Sequence, residues 1–144
     1  MVLSKNDSLA YISCIDSAAT LSNHQIRIVN VKAREVVDSI VLDPISGKNP
    51  FMMAIDSSGQ VLYAACLKSD KIAAIDLASK SISYLSVGKQ PHAPALVDDT
   101  LLYVTCEGNH VDPYKVYVVN TNTKTVVDSI DVGRYPNGIA VLKP

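Results

Sequence analysis

The stretch LYVTCEGNHVDPYKVYVVNTNTKTVVDSIDVGRYP, residues 102–136, decides the fold. It holds three short runs, LYVTC, KVYVVN and TVVDSIDV, rich in β-branched and aromatic residues and alternating apolar with polar. Gly, Pro, Asn and Asp bound each run, which is the pattern of short strands joined by tight turns. No window carries a 3.6-residue apolar stripe, so helices are not expected.

The same stretch recurs twice upstream. LAYISC (9–14), VLYAAC (61–66) and LLYVTC (101–106) share the form Tyr-x-x-Cys, which makes Tyr11, Tyr63 and Tyr103 equivalent. QIRIVNV (25–31), KIAAIDL (71–77) and KVYVVNT (115–121) follow, with Asn30, Asp76 and Asn120 in one place. The pentapeptide VVDSI stands verbatim at 36–40 and 126–130, with SISYLSVG (81–88) between them. Each copy then closes on a glycine and a proline, in GKNP (47–50), GKQP (88–91) and GRYP (133–136).

Four strands per copy follow from this reading: A (NPFMMAI, PHAPALV, PNGIAVL), B (the Tyr-x-x-Cys run), C (the run ending in Asn or Asp) and D (VVDSI, ISYLSV, VVDSIDV). A four-stranded antiparallel unit repeating every 40 or so residues is a propeller blade, since such a small twisted sheet buries its faces only by stacking on its neighbours. The fold expected is all-β, with blade 1 over about 1–47, blade 2 over about 48–88, blade 3 over about 89–133 and an extra inner strand over 134–144. LYVTC and VYVVNTNTKTVVDSIDVGRYPNGIAVL, with their weaker copies, resemble the YVTN type of propeller repeat found in surface-layer-like proteins and in relatives of the lactonase and cytochrome cd1 propellers. The resemblance covers nearly the whole chain. It implies a propeller and says little about function, because one fold serves many roles.

Composition narrows the functional classes. Thirteen basic against fourteen acidic residues, with no run of like charge, leave no footprint for nucleic acid. Apolar stretches are short and interrupted, so no membrane insertion is expected. The N-terminal MVLSKNDSLAYISC lacks the basic, apolar and cleavage regions of a signal peptide. Its compartment is therefore open, and the resemblance implies an extracytoplasmic one if a leader precedes it. Cys14, Cys66 and Cys106 occupy one position of three neighbouring B strands, too far apart for disulfides, and are expected as small buried hydrophobes.

Function concentrates in loops, and the B–C loops IDSAATLSNH (15–24) and EGNHVDPY (107–114) are long where LKSD (67–70) is short. Strand A lines a propeller's channel, and the B–C and D–A loops emerge at the end where it begins. His92 lies there, with His24 and His110 in the long loops, so the three are expected on one face together with Glu107, Asp112 and Tyr114. Histidine in such a place serves as a ligand contact, an acid or base, or a metal ligand. No nucleophile elbow, phosphate-cradling glycine loop or His-Glu-x-x-His pair occurs.

The expected role is thus a non-catalytic binding or scaffold module, without cofactor, whose loop face takes a protein, glycan or small-molecule ligand. The alternatives that the resemblance implies are a lactonase-like hydrolase and a haem- or metal-binding propeller. Gly88 and Gly133 are expected to adopt positive φ, and Asn30, Asp76 and Asn120 to cap the turns after strand C. Closed propellers have four to eight blades, so three leave two outer faces to be covered, either by further blades of a longer chain or by a second copy in a six-bladed homodimeric ring.

Overall fold

The computed structural model describes residues 1–15, 24–109, 111 and 114–142. All regular structure among them is strand, arranged as three antiparallel four-stranded meanders. Blade 1 comprises β1 (Val2–Leu3), β2 (Leu9–Cys14), β3 (Gln25–Asn30) and β4 (Glu35–Val41). Blade 2 comprises β5 (Pro50–Ile55), β6 (Val61–Cys66), β7 (Lys71–Asp76) and β8 (Ile82–Ser86). Blade 3 comprises β9 (Pro91–Val97), β10 (Leu101–Cys106), β11 (Lys115–Asn120) and β12 (Thr125–Asp131).

Two apolar layers hold the blades together. Between blades 1 and 2, Tyr11, Ile26, Ile28 and Ile40 meet Leu62, Ala64, Cys66 and Ile75. Between blades 2 and 3, Tyr63, Ala65 and Ile72 meet Leu102, Val104 and Cys106. Successive side chains of a strand point to opposite faces, so β6 sends Leu62, Ala64 and Cys66 one way and Tyr63 and Ala65 the other. That is why VLYAAC is apolar throughout, and why its two alanines let the neighbouring sheets approach. Each fully buried leucine or isoleucine here stabilises the stack by about 1.5–3 kcal/mol.

Local chemistry sets the turns. The side-chain oxygens of Asn30, Asp76 and Asn120 accept hydrogen bonds from the amides of Ala33, Ser79 and Thr123 at 2.9, 2.7 and 3.0 Å, as expected of caps at one repeat position. The identical VVDSI segments also produce identical bulges. Val29 pairs with Val36 and Ile28 with Asp38, leaving Val37 extra, and Val127 is extra in the same way in blade 3.

Two expectations need correction. Positive φ falls not on Gly88 or Gly133 but two residues later, on Asn49, Gln90 and Tyr135, each just before a proline. The glycine is needed at Gly88 for space instead: a Cβ there would lie 2.1 Å from the ring of Tyr117 in the next blade. An inner strand was expected over 134–144, and the described part of it, 134–142, forms no strand. A strand needs a sheet edge to pair with, and β1 already pairs with β2 through Val2 to Tyr11 and Leu3 to Ala10.

Candidate functional site

Antiparallel pairing of Pro91 with Cys106 and of Cys14 with Gln25 gathers the starts of strands A and C and the ends of strand B at one end of the blades. The residue that follows the proline of each repeat stands at this end. It is Phe51 in blade 2, His92 in blade 3 and Asn137 in the segment that follows blade 3. These three come together. The Phe51 and His92 rings lie 4.5 Å apart, tilted by 58°. His92 Nδ1 is 2.5 Å from the Asn137 carbonyl oxygen.

The other ring nitrogen is engaged as well. His92 Nε2 lies 3.2 Å from Glu107 Oε1, and both side chains are only 13% exposed. Glu107 is held there because its amide donates to the Gln90 carbonyl, which ties the end of β10 to the start of β9. Each ring nitrogen thus faces a protein oxygen, the Asn137 carbonyl on one side and the Glu107 carboxylate on the other. The outcome is a short line of aromatic ring, imidazole and carboxylate, largely shielded from solvent.

Tyr114 belongs to the same corner. Its hydroxyl accepts a hydrogen bond from the Lys89 amide at 3.2 Å, and its ring covers Gly108, where a Cβ would sit 2.1 Å from it. Gly108 has φ of 68°, so glycine is required there both by conformation and by space. Tyr114 therefore braces the loop that carries Glu107. His24 stands at the same end of blade 1, immediately before β3, but is 7% exposed, and its Nδ1 has no partner among the described residues. His110 and Asp112 lie outside the described residues.

A lysine-lined recess on this face, of about 360 Å³, runs between blades 2 and 3 beside Lys68, Asp70, Lys89 and Gln90. A larger cleft, of about 420 Å³, opens at the opposite end between the same blades, lined by Asp56, Tyr63, Asp76, Asp99, Asn122 and Lys124. The repeat pattern pointed to neither, because both are spaces between blades. Ser57 joins the blades beside the larger cleft, its amide donating to Asp99 Oδ1 at 2.9 Å and its hydroxyl to Asp99 Oδ2. Among the described residues, no three His, Cys, Asp or Glu side chains are grouped to hold a metal. The sequence pattern alone does not single out Phe51 and Asn137, although both follow a repeat proline as His92 does and the alignment of the three A segments carries the signal.

No family model matches the chain, and no curated protein matches it in sequence. Solved structures do. Hydrazine synthase from Kuenenia stuttgartiensis aligns with a TM-score of 0.76 and 21% identity, over 92% of this chain and 35% of that one. The WD40 repeats of RRP9 align with a TM-score of 0.68 and 18% identity, over 90% of this chain and 37% of theirs. Apo AztD from Citrobacter koseri aligns with a TM-score of 0.60 and 19% identity, over 80% of this chain and 31% of that one. The chain thus spans about a third of the solved chains it matches here, and at these identities the likeness is one of fold: three blades of a β-propeller.

Proposed function

We propose that the chain is a non-catalytic binding module built from YVTN-type repeats, taking its ligand on the face where the B–C and D–A loops emerge. The observation that carries this is the engagement of both His92 nitrogens, by Glu107 and by the Asn137 carbonyl. A ring whose two nitrogens both face protein oxygens is fixed in orientation and already engaged before any ligand arrives. That weighs against the lactonase-like and the haem- or metal-binding readings, each of which needs one nitrogen released. Phe51 beside His92 supplies an apolar contact next to a charged one, the mixture by which binding surfaces anchor a partner. A protein segment fits this best, with glycans and small molecules as the other classes.

The test is a peptide and glycan array probed with the intact chain, repeated with His92→Ala, Glu107→Gln and, at the opposite end, Asn122→Ala. Binding that falls at least about tenfold in the first two variants and persists in the third is the expected result. Binding that responds only to Asn122→Ala would move the site to the opposite cleft and end this reading.

A further inference from the structure

Asn137-Gly138 is the one Asn-Gly pair in the sequence. In such a pair the following backbone nitrogen reaches the asparagine side-chain carbon most readily, because glycine has no side chain to obstruct the ring that forms. Other asparagines are held differently. Asn30 and Asn120 end strands, and their side-chain oxygens accept the amides of Ala33 and Thr123. The Asn6 side-chain oxygen accepts the hydroxyls of Ser4 and Ser8 and the Ser8 amide. Asn49 precedes Pro50, whose nitrogen has no hydrogen to give up. Asn137 and Gly138 are exposed and lie outside any strand. The Asn137 side-chain amide makes no hydrogen bond among the described residues, and the Gly138 amide has no backbone acceptor among them. A Cβ at Gly138 would meet nothing within 4 Å, so the segment has room to turn.

One contact does fall on Asn137, and it falls on its main-chain carbonyl oxygen, 2.5 Å from His92 Nδ1. A carbonyl oxygen only accepts, so Nδ1 carries the hydrogen of this bond. That oxygen and the Gly138 nitrogen belong to one peptide group. When the nitrogen loses its proton, the negative charge spreads onto the oxygen through the amide resonance. A donor already in place there favours the charged form over the neutral one. His92 is held for this by Glu107, 3.2 Å from Nε2, and by the Phe51 ring at 4.5 Å.

From this arrangement we infer that Asn137 is a site of spontaneous deamidation, promoted by the hydrogen bond from His92. Hydroxide removes the Gly138 amide proton and becomes water. The nitrogen then bonds to Asn137 Cγ, and the side-chain nitrogen takes a proton from water and leaves as ammonia, which returns the hydroxide and closes a succinimide ring. A second water opens the ring at one of its two carbonyl carbons. Cleavage of the bond to Cγ leaves aspartate with the main chain as before. Cleavage of the bond to the main-chain carbonyl carbon leaves isoaspartate, in which the chain runs through Cγ and the oxygen that faced His92 belongs to a free carboxylate. Either product adds one negative charge at the end of the blades where His92 and Glu107 meet. The reaction needs no bound partner, so its test leaves the array result untouched.

The intact chain and a synthetic peptide of residues 131–142 are incubated side by side at neutral pH in heavy-oxygen water, which labels each product, and mapped by mass spectrometry. Conversion at Asn137 is expected about tenfold faster in the chain than in the peptide, the order of effect of a hydrogen bond to a charged group. Both aspartate and isoaspartate forms are expected, with Asn30 and Asn120 unchanged over the same period. Gly138→Ala slows the reaction at least about tenfold. His92→Ala slows it to the peptide rate, and His92→Asn, which keeps a side-chain N–H near the position of Nδ1, restores it. Were His92 only a tether, its removal would free the segment and speed the reaction, so the sign of the His92→Ala effect is decisive. A rate in the chain at or below that of the peptide, a His92→Ala chain that reacts as fast or faster, or a His92→Asn chain as slow as His92→Ala overturns the inference.

Discussion

Blade 2 and the outer faces of blades 1 and 3 are built from the same repeat and end in different environments. In blade 2 both faces of β6 are buried, Leu62 and Cys66 against blade 1 and Tyr63 against blade 3. In blades 1 and 3 one face of each sheet has no neighbouring blade among the described residues, and there Cys14 is only partly buried and Ile130 is 47% exposed. The difference teaches that a propeller repeat encodes half of each interface. A residue's burial is decided by the blade next to it.

The cysteines give the sharpest contrast. Burial pushes the thiols of Cys66 and Cys106 up to about 12, so they react with a thiol reagent only when the stack opens. Cys14, partly exposed, should label in dilute solution roughly a thousandfold faster, as followed by mass spectrometry of the three sites. Equal labelling of all three would break the comparison.

Core truncation comes next in size. Leu102→Ala at a fully buried position should cost about 2–5 kcal/mol in chemical denaturation, whereas Ile130→Ala should cost less than about 1 kcal/mol in the monomer. Similar costs at the two sites would mean that the outer face of blade 3 is already covered. Glycine substitution sharpens the same point: Gly88→Ala drives a methyl into Tyr117 and should destabilise by about 1–3 kcal/mol, while Gly133→Ala meets nothing and should be close to neutral.

The smallest effect is at the rim. The Lys80 hydrogen bond, aided by the Ser39 amide, holds the Asp38 carboxyl below its ordinary value. A depressed carboxylate contributes stability that is present above its unfolded value and lost as pH falls through the folded one. Thermal melts taken at decreasing pH below about 4 should show that small loss, and Lys80→Met should reduce it. An unchanged acid profile in the variant would remove the ion pair from the description of the junction.

Much of this was legible in the chain because it is local or periodic. Tyr-x-x-Cys, the Asn or Asp closing strand C, and the paired VVDSI segments each specify a strand or turn through backbone preferences and hydrogen bonds within a few residues. The site was legible only in part. Placing His92 and Glu107 at one end of the blades follows from strand order, but their contact, the covering of Gly108 by Tyr114 and the burial of His24 depend on loop paths that no repeat specifies.

Sequence alone was enough for the number of blades, the direction of their strands and the composition of each turn, since alternation and turn chemistry act within a single repeat. Only the packed structure decided which of three equivalent cysteines is less than fully buried, why Gly88 must be glycine, and that Phe51, His92 and Asn137 stand side by side. Those outcomes arise between blades, where side chains from residues about forty positions apart compete for the same space, and hydrophobic burial depends on what is stacked beside a residue as much as on the residue itself.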